Sequence, residues 1–339
     1  MTKTVISPFP VPSDFGLRNG TGDFSTPIAA ADFLIPSQTP GIELFLRNKH
    51  LPRSTGFGPD RTILYVHGAT LPAETVFDLP IDGLSWADHL ALNGWDVWLV
   101  NIRGYGHSTW PNAMRLPADA NPPVSTTEEA VADFTAAVNF IRAERRLDSL
   151  QLLGWSWGTV IAGSFAARFP AAARALVLVT PLWAHPDPAT APAYPKTAWQ
   201  EWTLAESRRR SQTGVPPDQA DAILPASTVA LWEQAVRTSQ PPAAERVPEV
   251  FRSPTGVLAD PAWRGQAPYD PGAIIAPTLI IRGEWDNLTP GGMSLGLFDR
   301  LKSARLRSLT EIPRASHFVM AETGRTLLFD EVQAFLTRV

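Results

Sequence analysis

Leu150-Gln151-Leu152-Leu153-Gly154-Trp155-Ser156-Trp157-Gly158-Thr159-Val160-Ile161-Ala162-Gly163-Ser164-Phe165-Ala166-Ala167-Arg168-Phe169 is the stretch on which the reading of this chain turns. Its opening is apolar, as a buried strand requires. Its closing part carries Ala162, Gly163, Ala166 and Ala167, small residues that let a helix lie close against a sheet. Between the two stands G-x-S-x-G. A serine at the tip of a sharp strand-to-helix turn needs glycine two residues before and two after, because a β-carbon there would meet the neighbouring strand or helix. Such a turn thrusts Ser156 Oγ clear of the sheet. It also aims the Trp157 N–H and the positive end of the following helix at the point where an oxyanion would form.

A serine nucleophile needs a base and an orienting acid, and after such a turn they are expected downstream in the order acid, then histidine. Thr278-Leu279-Ile280-Ile281-Arg282 reads as a buried strand running into Gly283-Glu284-Trp285-Asp286-Asn287-Leu288-Thr289-Pro290. Residue type alone leaves both Glu284 and Asp286 open as the acid. The chain holds six histidines, five of them before this loop, so His317 is the one late candidate. It follows a strand read over Ser308–Ile312 and precedes a terminal helix beginning near Glu322.

The acid stretch, strand-G-x-x-D-x-x-x-P, resembles the acid loop of the α/β-hydrolase fold family, and Asp286 is the position that matches; Glu284 stays as the alternative. His67-Gly68-Ala69-Thr70, after the strand Thr62–Val66, is similar to the family's His-Gly loop. That resemblance implies the backbone N–H of Ala69 as the second oxyanion donor beside Trp157, with His67 structural. Arg103-Gly104-Tyr105-Gly106-His107-Ser108, after the strand Trp95–Asn101, resembles the R-G-x-G-x-S loop of many lidded members, where its role is mostly structural. The chain departs from the triple-glycine loop of lipases and esterases. In order these similarities span about residue 40 to the C-terminus. They imply an α/β fold with a mostly parallel central sheet flanked by helices, and a helical cap inserted after the sixth strand.

Composition agrees. A hydrophobic fraction of 44% suits a sizeable core, and a net charge of −4, with no basic run longer than Arg208-Arg209-Arg210, argues against a nucleic-acid partner. That run reads as a solvated helix end. Without cysteine, disulfides, thiolate metal sites and cysteine nucleophiles are excluded. The N-terminus has no apolar stretch of signal-peptide type and no run long enough for a membrane span appears, which is read as a cytoplasmic location. Residues 1–40 are read as an extended segment across the surface or leading into the first strands, 41–180 and 270–339 as the core.

Ala175–Thr180 reads as the strand after the serine helix, yet the next buried strand waits until Thr278. Residues 181–269 are too long for a structureless loop, so they are read as the cap, with helices over Thr197–Arg210 and Ser227–Thr238, the second opening on a serine N-cap. Trp183, Trp199, Trp202, Trp232 and Trp263 fall inside it, and each by itself is read as packing. With Trp155 and Trp285 beside the serine and the acid, they suggest an aromatic-walled pocket; Trp155, Trp183 and Trp285 are its candidate substrate contacts.

The chemistry implied is a carboxylesterase-like serine hydrolase acting on a small hydrophobic ester or lactone, without cofactor or metal. Ser156 attacks, His317 carries the proton and Asp286 orients the imidazole. Relatives that hydrolyse epoxides or haloalkanes carry aspartate at the position of Ser156. Amide or carbon–carbon bond hydrolysis and acyl transfer remain open on the same triad, as does a non-catalytic small-molecule receptor. The sequence is silent on oligomeric state.

Overall fold

Along the central strands, side chains alternate between two apolar layers. In Thr62–Val66, Ile63 and Tyr65 enter one buried cluster while Leu64 and Val66 enter the other, the period-two pattern of a sheet covered on both faces. The structure, a computed structural model, describes residues 28–52, 54, 56–239 and 250–339, together with the paired segments Thr4–Val5, Gly16–Leu17 and Phe24–Ser25.

Eight strands build the sheet: β1 (Ala29–Pro36), β2 (Glu43–His50), β3 (Thr62–Val66), β4 (Asp96–Val100), β5 (Leu150–Trp155), β6 (Ala173–Val179), β7 (Thr278–Gly283) and β8 (Arg307–Ile312). Their spatial order is β1-β2-β4-β3-β5-β6-β7-β8, with Thr4–Val5 pairing at the β1 edge. β1, β2 and β4 are joined antiparallel, and β4 through β8 run parallel. The loops that leave β3, β5, β7 and β8 therefore all emerge at one edge of the sheet, the carboxyl edge where open α/β sheets build their sites. Most of the 1–40 segment lies outside the described residues, but Ala29–Pro36 within it is a core strand, so the sheet starts earlier than residue 41.

Helices α1 (Trp86–Leu92), α2 (Thr127–Arg145) and α3 (Trp157–Arg168) follow β3, β4 and β5. α1 opens on a capping box of Ser85 and Asp88, and α2 on one of Thr126 and Glu129, each satisfying amides that a first turn leaves over. Between β6 and β7, an antiparallel pair of strands, Trp199–Thr203 and Val250–Pro254, accompanies α4 (Leu204–Ser211) and α5 (Ala226–Ser239). The helix read over Thr197–Arg210 is thus half strand. Trp199 and Trp202 sit in the ladder, and Thr203 ends it by capping α4 through its side chain and Glu206. Ser227 is no N-cap, since α5 is already under way at Ala226. α6 (Gly291–Arg300) and α7 (Arg325–Arg338) complete the chain. α7 starts later than Glu322, for a reason that lies in the site. No helix among the described residues is long and apolar enough to cross a membrane.

Candidate active site

From Leu150 to Ala166 every residue is buried except Ser156. It sits between β5 and α3 with φ 56° and ψ −120°, a backbone conformation that a side-chain-bearing residue adopts only under constraint. The two glycines supply the constraint by letting main chains close in. A Cβ on Gly154 would lie 2.2 Å from Gly158 O, and one on Gly158 would lie 2.4 Å from Val66 O. The Ser156 amide donates to Val179 O (2.9 Å), tying the turn to β6. Trp157 is the first residue of α3, where an amide finds no acceptor within its own helix. Its indole points away from the turn and donates to Thr127 Oγ1 (3.0 Å).

The His-Gly loop presses on this turn, for a Cβ on Gly68 would come 2.7 Å from Ser156 Cβ. Ala69 and Thr70 follow, Thr70 at φ 82°. His67 is fully buried, Nδ1 donating to Gly68 O (2.6 Å) while Nε2 accepts the Ile102 amide (3.1 Å). With both nitrogens committed as in a neutral ring, and with burial as the dominant influence, its pKa is held down to about 4. The loop after β4 is braced as tightly: Arg103 donates through Nε to Asp133 (2.8 Å), and Ser108 Oγ donates to Asn101 O (2.6 Å).

Asp286 and His317 meet in the interior. Asp286 is fully buried, and its Oδ2 accepts from His317 Nδ1 (2.9 Å), which leaves Nε2 as the acceptor of a neutral imidazole. The rest of the carboxylate is taken up by the Leu288 amide (2.9 Å), the Thr289 amide (3.0 Å) and Thr289 Oγ1 (2.7 Å). Glu284 is exposed and accepts from the Arg314 amide (2.7 Å), so of the two candidate acids Asp286 is the one bonded to the histidine. Trp155, next to Ser156, donates from Nε1 to His317 O (3.0 Å), and its ring lies 5.4 Å from the His317 ring. The serine turn and the histidine loop are thereby in direct contact.

Two residues not singled out in the sequence complete this assembly. Thr289 steadies the Asp286 carboxylate, and Glu322 steadies the loop that carries His317. The Glu322 carboxyl is fully buried and accepts the Ser316 amide (2.9 Å) as well as the Ser316 hydroxyl. Burial, assisted by the nearby Asp286 charge, pushes its pKa up to about 7 against the pull of those hydrogen bonds. Its inward turn also explains the late start of α7.

Of the tryptophans proposed for a substrate pocket, Trp155 and Trp183 are buried against protein, the second beside Tyr269 at 5.0 Å; Trp285 retains partial exposure. The others pack. Trp232 lies 5.8 Å from Phe318, Trp263 donates to Val257 O (3.0 Å), and Trp199 lies under Arg252 at 3.9 Å.

The family model for the alpha/beta hydrolase fold matches residues 61–332. No curated protein matches the chain in sequence. Among solved structures, the 2-hydroxy-6-oxo-6-phenylhexa-2,4-dienoate hydrolase of Rhodococcus sp. strain RHA1 is similar at a TM-score of 0.62 and 14% identity, covering 92% of this chain and 100% of that one. A thermophilic esterase from Thermogutta terrifontis gives 0.53 and 20%, with 91% and 98% covered. An N-acyl homoserine lactone degrading enzyme gives 0.56 and 16%, with 88% and 98% covered. At such identities these likenesses speak for the fold, and with the family model spanning most of the sequence, the chain belongs to the α/β-hydrolase fold family.

Proposed function

We propose that the protein is a serine hydrolase that cleaves a carboxylic ester or lactone through an acyl-enzyme. The observation that carries this reading is the buried 2.9 Å bond from His317 Nδ1 to Asp286, beside a serine held in a strained, partly exposed turn. In this reading His317 Nε2 takes the Ser156 proton as Oγ adds to the acyl carbon. The imidazolium is steadied by Asp286 and returns the proton to the departing alkoxide. The amides of Ala69 and Trp157 hold the oxyanion. Water then enters by the same route, activated by His317, and frees Ser156 as the acid leaves.

Residues 181–269 act as the cap in this reading. Their described parts bond to the acid loop (Asn287 N to Thr213 O, 3.1 Å) and to the chain beyond the histidine loop (Thr323 N to Ile223 O, 2.8 Å). Arg210 Nη1 reaches Thr70 Oγ1 of the His-Gly loop (3.2 Å). A roof fastened at these points restricts water, which strengthens the electrostatics beneath it. Trp285 is the member of the suggested pocket free to face substrate.

The test is a fluorophosphonate probe together with p-nitrophenyl esters of graded chain length, anilides and lactones. Labelling at Ser156 and ester turnover abolished by Ser156→Ala are expected. An unlabelled serine in folded protein that still binds small ligands would turn the reading towards a receptor.

A further inference from the structure

The three arginines that close α4 do not share one fate. Arg208 and Arg209 are exposed, whereas Arg210 turns inward and is largely buried. Its guanidinium donates to Thr70 Oγ1 (3.2 Å) and lies 5.2 Å from the Trp202 ring. Among the described residues no carboxylate pairs with it. Burial draws its pKa down to about 10, and the Tyr105 hydroxyl opposes that fall. Tyr105 OH is itself buried beside the Thr70 backbone, without a hydrogen bond of ordinary geometry. A guanidinium has five N–H donors, and holding it partly desolvated with one hydroxyl acceptor is unfavourable unless an anion completes the set.

The position is next to the proposed chemistry. Thr70 stands two residues after Gly68, the point where the His-Gly loop meets Ser156, and two residues span at most about 7 Å. On the other side, Arg210 O accepts from the Thr213 amide (3.2 Å), and Thr213 O accepts from Asn287 (3.1 Å), the neighbour of Asp286. Arg210 thus stands between the oxyanion loop and the acid loop.

We propose that Arg210 receives an ionised carboxylate of the substrate, so that the preferred ester carries a second, free carboxylate a few carbons from the scissile carbonyl. This rests on the serine-hydrolase reading and narrows its substrate class. One guanidinium flanked by neutral hydroxyls matches a single negative charge, and its planar fork fits a carboxylate in bidentate fashion. A phosphate monoester, with a charge near −2, would call for a second cation.

The experiment compares p-nitrophenyl hemiglutarate with p-nitrophenyl pentanoate, equal in acyl carbon count, on native enzyme, Arg210→Met and Arg210→Lys. Native protein should favour the hemiglutarate in kcat/KM by about 10- to 100-fold, the worth of a charge-assisted hydrogen-bonded pair. Arg210→Met should bring the ratio to about one or below, and Arg210→Lys should keep an intermediate ratio. In parallel, glutarate should raise the Tm of the native protein but not of Arg210→Met, and dimethyl glutarate should raise neither. A native ratio at or below one, or the same preference in Arg210→Met, overturns the proposal. So does glutarate stabilisation that survives the substitution. Should Arg210→Met fail to fold, Arg210→Lys and Arg210→Gln carry the same comparison. Absence of pentanoate turnover and of Ser156 labelling would count against the serine-hydrolase reading, whereas the glutarate arm reports on Arg210 whether or not an ester is cleaved.

Discussion

Replacing Glu322 by Gln should make the protein more stable at neutral and alkaline pH and leave it nearly unchanged near pH 4.5. Glu322 is fully buried, and its pKa is raised from 4.5 to about 7, chiefly by loss of hydration. Below about pH 4.5 the carboxyl is protonated in both folded and unfolded chains. Between about 4.5 and 7 the folded chain keeps a proton that the unfolded chain has released, so stability falls as pH rises; above 7 that contribution is gone. A shift of this size corresponds to about 3 kcal/mol. Gln reproduces the protonated form, since its carbonyl can accept the Ser316 amide and its NH2 can donate to Ser316 Oγ. The gap between variant and native protein should therefore open from near zero to about 3 kcal/mol across that window. Calorimetric melting of both proteins at half-unit steps from pH 4.5 to 8.5 would measure it. A pH-independent gap, or a native protein that gains on the variant as pH rises, would mean that Glu322 is ionised and favourably held. The burial argument would then fail.

Ser156→Ala should lower ester turnover by about 10⁴- to 10⁶-fold without lowering Tm, since no core volume is lost; more than a tenth of native activity in folded protein would remove the serine mechanism. Asp286→Asn should cost about 10⁴ in kcat and Glu284→Gln little, and steady-state kinetics showing the reverse order would move the acid to Glu284. Thr289→Val takes one of four donors from Asp286 and should reduce kcat by about tenfold with KM little changed. A purely structural role for Thr289 would instead lower Tm and leave kcat alone.

How much of this was legible depended on whether a residue's task was set by its neighbours in sequence. The turn at Ser156, the strands Thr62–Val66 and Thr278–Gly283 and the bonding of His317 to Asp286 rest on local apolar runs and on motif order, and the structure has them where that order places them. The sequence places the start of the terminal helix near Glu322, yet the Glu322 carboxyl is drawn six residues back to Ser316, a contact with no local signal. Trp199–Thr203 lies inside the helix expected over Thr197–Arg210 and carries no strand signal of its own, because its partner strand, Val250–Pro254, lies some fifty residues away in sequence and pairs only in the folded chain. Arg210 looked like its two neighbours, for which the direction of a helix face decides between solvent and interior. Trp155 and Trp183 looked available to a substrate because an aromatic that walls a pocket and one that fills a core have the same composition.

The left-handed backbone at Ser156 sets two aims of protein engineering against each other. Glycine occupies such a conformation without strain, so Ser156→Gly should gain about 1 kcal/mol in stability while ending catalysis by this route. Directed evolution scored by heat resistance alone would thus be drawn towards an inert protein at a position where the chain holds a side chain against its own conformational preference. Libraries built on this scaffold need an activity screen in every round.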